Sequence, residues 1–249
     1  MRILSNNYVK TATITPYTET PQYEFDTAFK DVRLTRVGRT LDDTSQYIDF
    51  DLGSAQAVNY ICILAHNLTS SATVTIMANS TQSWSTPPVS ETLTVADKII
   101  YNFTVTKTYR YWRLNISDST NPDTYIEISK VYIGDYIQLP YMAKNQKIPT
   151  ASTSDVSESN GGQVFGNAGY FYQYGTINFS VIEDSEKLTL DTLFRTVDKY
   201  IPVILLIWEN DLDIQDGIYA RITSDFDFTR VEGMVDRRWS LGFSFKEVF

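Results

Sequence analysis

The sequence has very little cysteine and histidine and no long apolar run. Its 249 residues include one cysteine, Cys62, and one histidine, His66. A single cysteine cannot form an intramolecular disulfide, and the two residues together cannot supply a Cys₄ or Cys₂His₂ zinc site. No segment approaches the roughly 18 consecutive apolar residues of a membrane span, and the N-terminus has no apolar signal-peptide core. These absences exclude a disulfide-stapled domain and a zinc finger, and they predict no membrane insertion and no classical export.

Basic residues are also scarce relative to acidic ones. Thirty Asp and Glu outweigh 21 Lys and Arg, for a formal net charge of −9. Nucleic-acid binding needs a Lys/Arg surplus, so we predict no nucleic-acid partner. By contrast, 43% of the residues are hydrophobic, with 13 Phe, 17 Tyr and 4 Trp. That composition is enough for real cores and is unlike that of a disordered chain.

Candidate catalytic groups are few. Cys62 and His66 lie four residues apart in an apolar run, which along a strand separates their side chains by about 13 Å, beyond hydrogen-bond reach. We therefore interpret Cys62 as a buried residue and His66 as a strand-end residue.

Acidic pairs offer a second route to catalysis. Asp49/Asp51 and Asp211/Asp213 have the spacing of neighbouring carboxylates, but such pairs on the solvent face of a strand or in a turn usually serve solubility. The second pair also lacks the later Glu of a calcium-binding EF-hand loop. We predict no enzyme activity, no catalytic residues, no metal and no cofactor.

The first part of the chain, from residue 8 to about 137, reads as a series of short strands. Ile48, Phe50 and Leu52 alternate with polar residues, which predicts a half-buried strand, and 58–65 is an apolar run typical of a central strand. No helical period interrupts the series. Many short strands at regular spacing predict a β-sandwich or jelly roll.

The remainder changes character. A glycine-rich segment at 159–170 predicts a hairpin turn, because it matches no phosphate-binding loop. One helix is predicted after Asp184 or Ser185, ending before Pro202, and a final strand has Trp239, Leu241, Phe243 and Phe245 on one face. The predicted fold is mainly β: a jelly-roll β-sandwich over 1–140, a linker over 141–160, and a smaller β-rich α+β domain with one main helix over 161–249.

Four pieces of sequence in order carry a resemblance to a known family. They are Tyr47–Gly53 with its Asp-Leu-Gly ending, the apolar strand 58–65, Tyr109–Leu114 with its aromatic-Arg-Leu pattern, and Ile126–Gly134. This arrangement resembles the discoidin, or coagulation-factor type C, family of galactose-binding-like jelly rolls over about the first 137 residues. The resemblance implies ligand binding through loops at one end of the sandwich. The chain lacks the cysteine pair of secreted members, which favours an intracellularly assembled protein.

The C-terminal part has a looser resemblance. Its glycine-rich string at 157–166, Tyr-rich strand, single helix and closing segment 241–247 resemble the ring-building β domain of tail-tip and baseplate proteins of long-tailed bacteriophages. This implies a homo-oligomeric ring, other tail proteins as partners, and a place in the virion after synthesis in the host cytoplasm.

Two functions are thus predicted as alternatives. The first is a structural component of a phage tail tip or baseplate, whose C-terminal domain assembles a ring and whose jelly roll binds a neighbouring tail protein or a host surface glycan. The alternative is a stand-alone carbohydrate-binding, lectin-like module. Exposed aromatic and polar loop residues are the candidate ligand contacts, with core packing as the other interpretation of the aromatics. The candidates are Tyr17, Tyr23, Phe25, Trp84, Asn121 and Asp123.

Overall fold

The computed structural model of the chain describes residues 1–139, 142–143, 146–207, 217–232 and 236–249. Contacts within the chain divide it into two compact units. Among the described residues, the N-terminal unit comprises 2–138, 206–207, 217 and 249, and the C-terminal unit comprises 1, 139, 142–143, 146–205, 218–232 and 236–248. Both units are built mainly of antiparallel strands, as predicted. Among the described residues, no helix has the length and apolar character needed to cross a membrane.

The N-terminal unit has eight strands, a 3₁₀ turn and one short helix. They are β1 (Arg2–Asn7), the 3₁₀ turn (Tyr8–Lys10), β2 (Thr13–Pro16), α1 (Phe25–Lys30), β3 (Gly38–Arg39), β4 (Gln46–His66), β5 (Thr73–Asn79), β6 (Val89–Leu93), β7 (Lys98–Ser117) and β8 (Glu127–Gln138).

Strand β4 is the centre of this unit. It pairs with β7 from Gln46↔Ile116 to Leu64↔Lys98 and with β8 near its end. The sequence predicted two strands here, but the chain continues through an irregularity after Asp51, where Gly53 has a φ of 78°. Glycine adopts this conformation without the steric penalty of a Cβ. The irregularity lets one strand belong to two layers.

The two layers enclose one core. The first half of β4 lies with β2, β5, β6 and the end of β7, whereas its second half lies with the start of β7, β8, β1 and β3. Side chains from both layers form a single buried cluster, which includes Phe50, Ile61, Trp112 and Val131. The arrangement is that of a β-sandwich, as the alternating pattern predicted.

Helix α1 corrects two expectations about the N-terminal unit. The sequence was expected to be free of helix here, but Phe25–Lys30 forms one and a half turns, too short to produce a recognisable period. Phe25, predicted to be an exposed loop residue, is fully buried in the core and packs against Phe29 with ring centroids 5.4 Å apart. Phe25 is therefore a packing residue that no ligand can reach.

The C-terminal unit contains eight strands and one long helix among its described residues. They are β9 (Thr150–Ser152), β10 (Asp155–Glu158), β11 (Val164–Asn167), β12 (Phe171–Glu183), α2 (Asp184–Val197), β13 (Val203–Leu206), β14 (Ile218–Ile222), β15 (Asp227–Arg230) and β16 (Arg238–Glu247).

A sheet ordered β13-β14-β16-β12-β9 carries this unit, and α2 packs on β12 and β16. Helix α2 begins at the predicted place with a capping box between Glu183 and Glu186, and it ends at Val197, earlier than the predicted stop at Pro202. Asp198 turns the chain there with a φ of 48°. On β16, Leu241, Phe243 and Phe245 are buried on one face, as the alternation predicted.

Part of the predicted linker is ordered as strand. Residues 150–152 pair with β12, and 155–158 pair with β11 in the predicted glycine-rich hairpin. Polar Ser and Thr side chains suit exposed strands that have solvent on both faces, so this segment shows no hydrophobic period in the sequence.

Lys130 is a charged residue inside the N-terminal core. Its side chain is 1% exposed, and its ammonium group donates a hydrogen bond to the carbonyl oxygen of Ala28, in the last turn of α1. A cation is favoured at the C-terminal end of a helix. Burial nevertheless lowers the pKa of Lys130 to about 8, although the nearby Asp31 carboxylate acts in the opposite direction.

This burial predicts a pH-dependent stability. Between about pH 8 and pH 10.4 the unfolded chain keeps the Lys130 proton while the folded chain has lost it, so the folded state gains stability as pH rises, by at most ~1.4 kcal/mol per pH unit. We expect the free energy of unfolding of the native protein to rise from pH 8 to pH 10 relative to Lys130→Met. Urea denaturation of both proteins at each pH measures the difference.

Subtracting the free energy of unfolding of Lys130→Met from that of the native protein cancels the contributions of the other groups that titrate in this range. A difference that stays flat across this pH range would contradict the prediction.

Candidate functional site

An arginine at one end of the N-terminal sandwich is held by a carboxylate on the neighbouring strand. Arg39 of β3 lies directly opposite Glu127 of β8. Nε of Arg39 donates to Oε1 of Glu127 at 2.7 Å, and Nη2 donates to the same oxygen. Both side chains are about three-quarters buried, at 24% and 22% exposed. The hydrogen bonds that Arg39 donates to Glu127 raise the pKa of Arg39, so the guanidinium is charged at any relevant pH.

Two tyrosine rings contact the same guanidinium. The Cζ atom of Arg39 lies 4.1 Å from the ring centroid of Tyr23 and 4.1 Å from that of Tyr125. Such distances are typical of cation–π contacts. The backbone fixes one side of this arrangement, because the amide of Arg39 donates to the carbonyl oxygen of Tyr23 at 2.9 Å. Tyr23 stays 36% exposed.

Asn67, just after β4, ties the surrounding loops together. Its side-chain amide nitrogen donates to the carbonyl oxygen of Tyr125 and to the carboxylate of Asp123, each at 3.0 Å. Its side-chain oxygen accepts from the amide of Glu127 at 2.7 Å. The residues that meet here form what we call the loop-end site: Tyr23, Arg39, Asn67, Asp123, Tyr125 and Glu127.

The loop-end site has unused hydrogen-bonding capacity. Arg39 directs two N–H groups at one oxygen of Glu127, so its Nη1 and the Oε2 of Glu127 have no partner among the described residues. The pair therefore keeps one charged donor group and one charged acceptor oxygen available on side chains that are about one-quarter exposed. This is suited to a neutral ligand with adjacent hydroxyl groups, since each hydroxyl both donates and accepts. The tyrosines supply apolar surface next to it.

Tyr17 and Trp84 belong to a different place, the outer face of the first layer. There Arg113 of β7 lies 3.8 Å from the ring centroid of Tyr47 and 4.8 Å from that of Trp84, and Tyr17 packs on Tyr47 at 4.9 Å. Arg113 also donates two hydrogen bonds to Asp49, at 2.6 and 2.7 Å. This outer-face cluster holds the loop of Trp84 against the sheet. Both carboxylate oxygens of Asp49 accept hydrogen bonds from Arg113.

The six predicted ligand contacts therefore do not form one site. Tyr23 and Asp123 lie in the loop-end site, Tyr17 and Trp84 in the outer-face cluster, and Phe25 in the core. Asn121 is 4% exposed, and its amide donates to the carbonyl oxygen of Asn67 and to Asp118, both at 3.1 Å. Asn121 thus acts on the loop-end site by supporting Asn67.

The candidate catalytic groups have structural partners. Asp49 is paired with Arg113, and Asp51 with Arg110, whose hydrogen bonds lower the pKa of Asp51. Asp211 and Asp213 lie outside the described residues. Cys62 is fully buried, and desolvation raises its pKa.

His66 contacts the backbone. Its Nε2 lies 2.9 Å from the carbonyl oxygen of Ala96, and its Nδ1 accepts from the amide of Leu68. In the described part of the chain, no group of three or more His, Cys, Asp or Glu side chains is arranged to hold a metal ion.

Sequence reasoning missed four members of the loop-end site: Arg39, Asn67, Tyr125 and Glu127. Arg39 and Glu127 are 88 residues apart, and only the pairing of β3 with β8 brings them together. One signal was available, because Glu127 lies in Ile126–Gly134, one of the segments that carry the family resemblance, and Tyr125 directly precedes that segment. A ligand-binding loop would be expected at its start.

Comparisons with known proteins give a fold likeness over about half of the chain. No protein-family model matches the sequence, and no curated protein matches it. Solved structures do match. The lectin domain of lectinolysin complexed with Lewis B antigen is 14% identical with a TM-score of 0.42, covering 52% of this chain and 96% of that one.

Two further structures are similar. A Streptococcus pneumoniae fucose-binding module is 11% identical with a TM-score of 0.43, covering 53% of this chain and 99% of that one. A Ruminococcus gnavus GH29 fucosidase in complex with fucose is 14% identical with a TM-score of 0.44, and this chain spans only 27% of it. TM-scores below 0.5 describe a partial likeness of fold.

Gly38 precedes Arg39 in β3 and gives a test of how tightly this strand packs against α1. A Cβ at Gly38 would lie 2.3 Å from Cδ1 and 2.8 Å from Cα of Phe25, so the ring and the start of α1 would have to shift. We expect Gly38→Ala to lower the free energy of unfolding by about 1–3 kcal/mol, as overpacking does. Thermal unfolding measures this. Gly161→Ala is the matched control, since its nearest neighbour would lie 3.9 Å away. Equal effects of the two substitutions would contradict this account of the packing.

Proposed function

We propose that the N-terminal unit is a carbohydrate-binding module that holds a sugar at the loop-end site. The observation that carries the proposal is the Arg39–Glu127 pair, in which Arg39 contacts two tyrosine rings while Nη1 of Arg39 and Oε2 of Glu127 keep no partner among the described residues. Hydroxyl groups of a sugar would hydrogen-bond to these two atoms. The apolar face of the sugar would pack on the exposed part of Tyr23.

The site is restrained before any ligand arrives. Asn67 fixes the backbone of Tyr125 and of Glu127, and Glu127 and the two rings fix Arg39. Restraint of this kind lowers the entropy lost on binding, which favours affinity for a small ligand. Uncharged hydroxyl groups also suit a protein whose net charge is −9, because such a ligand needs no general electrostatic attraction.

The outer-face cluster is the competing position for a sugar, because it includes Trp84. Its arginine is already bonded to both oxygens of Asp49 and covers part of the Trp84 ring. Fewer polar groups therefore remain to orient a sugar there. We place the ligand at the loop-end site for this reason.

A glycan array of mono- and oligosaccharides, followed by calorimetry with the best ligand, tests the proposal. We expect Arg39→Lys and Tyr125→Ala each to weaken binding by about tenfold or more, because lysine lacks the planar fork and a charge-assisted hydrogen bond is worth ~1.5–3 kcal/mol. Arg110→Lys is the matched control. Arg110 also pairs with a carboxylate and lies 4.8 Å from a tyrosine ring centroid, but on the outer face, so binding should be unchanged.

Two results would sink the proposal. One is a folded protein that binds no glycan on the array. The other is glycan binding that survives Arg39→Lys and Tyr125→Ala but is lost with Trp84→Ala, which would move the ligand to the outer-face cluster.

A structural role in a larger assembly, such as the phage tail tip suggested by the C-terminal resemblance, is the second candidate. The observation that favours it is a two-stranded ribbon, β10 and β11, in which every residue is exposed. A ring formed by copies of this chain would cover such a ribbon, and the sugar site would then serve attachment to a host surface. We expect the protein to be detected in purified phage particles by immunogold labelling at the tail end. Particles that lack the protein would contradict this candidate.

A further inference from the structure

The ribbon of the C-terminal unit does not pair with the main sheet of that unit. We call residues 155–167 the arm: strands β10 and β11 with the turn between them. Among the described residues, the two strands pair only with each other. Every residue of both strands is exposed. A two-stranded hairpin with solvent on both faces is at best marginally stable in water.

Each face of the arm combines apolar surface with one carboxylate. Val156, Glu158 and Val164 share one face through the pairs Val156↔Gly166 and Glu158↔Val164, and Asp155 shares the other with Phe165. The three apolar side chains are 65%, 67% and 58% exposed for Val156, Val164 and Phe165. Packing these side chains against a partner would remove apolar surface from water, which favours association.

The arm is acidic, with no basic residue near it in the chain. Between Lys147 and Lys187 the sequence contains no Lys or Arg. Asp155 and Glu158 are the only charged residues of the arm. A partner surface for the arm should therefore be basic and partly apolar.

The same unit presents a surface with that chemistry. Lys246 of β16 lies directly opposite Arg221 of β14 on one side and opposite Tyr174 of β12 on the other. Residues that are directly opposite share a face, and like charges placed so are destabilising. Neither cation makes an ion pair among the described residues, and Lys246 lies 4.2 Å from the ring centroid of Tyr172. We call Tyr172, Tyr174, Arg221 and Lys246 the basic patch.

The basic patch is accessible as well as charged. Arg221 is exposed, and Tyr174 is 42% exposed. Buried neighbours on the opposite face of the sheet, such as Phe245, fix the orientation of these side chains. Two cations that make no ion pair with any described residue, next to tyrosine rings, offer attraction for carboxylates and contact area for apolar side chains.

We propose that the arm of one copy of this protein docks on the basic patch of a second copy. Asp155 or Glu158 would pair with Arg221 and Lys246, and the valines or Phe165 would pack on Tyr172 and Tyr174. Reciprocal docking closes a dimer, and one-way docking produces a ring or a filament. This inference concerns the C-terminal unit and does not rest on carbohydrate binding.

The second copy is favoured over an unrelated partner because the chain carries both halves of the contact. The arm has two negative charges without a positive one, and the basic patch has two positive charges without a negative one. Docking one on the other relieves the repulsion between Arg221 and Lys246 and covers the apolar side chains of the arm. An unrelated partner that bound only the arm would leave the two cations of the basic patch without a role, and the reverse holds for a partner that bound only the patch.

Charge reversal tests the proposal with the full chain. Asp155→Lys with Glu158→Lys reverses the arm, and Arg221→Glu with Lys246→Glu reverses the basic patch. Sedimentation velocity over a range of concentrations should show that the native protein associates and that each double variant alone does so at least about tenfold more weakly, because like charges then meet. An equimolar mixture of the two variants should associate again, since the reversed arm fits the reversed patch.

The controls separate this contact from general charge effects and from unfolding. Asp97→Lys with Glu232→Lys changes the net charge by the same amount as the reversed arm, but at positions outside the arm and the basic patch. This variant should associate like the native protein. Circular dichroism confirms that each variant is folded. Val156→Ser with Val164→Ser tests the apolar contribution without changing any charge and should also weaken association.

The outcomes are distinct. Restored association in the mixture supports the proposal, whether the complex is a dimer, a ring or a filament. A native protein that stays monomeric at high micromolar concentration overturns it, as does native-like association of either charge-reversed variant. A different macromolecule captured by the arm of a monomeric protein would also overturn it. Glycan binding is measured on the same samples, so failure of one proposal is distinguishable from failure of the other.

Discussion

The pairing of β4 with β7 and β8 is the constraint on which the N-terminal unit depends. Because β4 runs through both layers, its register with β7 sets which side chains enter the core and which reach the surface. The same strand ends at His66, immediately before Asn67, which holds the loops of the candidate site. A shift of one residue would turn the buried Ile48 and Phe50 to solvent and would move Asn67 away from Glu127. The core and the site are therefore fixed by one set of backbone hydrogen bonds.

How much of this could be predicted depends on whether the cause is local. Alternation identified the strand at Ile48–Leu52 and the closing strand at Leu241–Phe245, because burial of every second residue leaves a direct trace in the sequence. The hairpin at 159–170 was predicted from its glycines and the start of α2 from its capping residues, which are also local signals. Helix α1 was not, because six residues cannot show a period, and Phe25 was misplaced with it.

The site escaped prediction because its parts are distant in sequence. Tyr23, Arg39 and Glu127 come from three separate segments, and nothing in any one segment states that a guanidinium will lie 4.1 Å from two rings. Aromatic character alone favoured Trp84 equally as a ligand contact. The arginine next to Trp84, however, is already hydrogen-bonded to Asp49. Which aromatic residue has a polar neighbour with unused hydrogen-bonding capacity is decided by strand pairing, not by composition.

The two proposed binding regions differ in how complete they are before a partner arrives. At the loop-end site, each side chain is held by neighbours from its own unit, so a ligand would find the geometry already formed. The arm has no such support, because the described residues of its own unit leave every residue of both its strands exposed. A rigid site suits recognition of a small molecule. An exposed ribbon whose charge is opposite to that of a patch on the same chain suits association, because the stability it lacks alone is supplied only when copies meet. The net charge of −9 therefore does not predict whether copies of the chain repel each other. The proposed contact depends on local charges, which are positive at Arg221 and Lys246 and negative at Asp155 and Glu158.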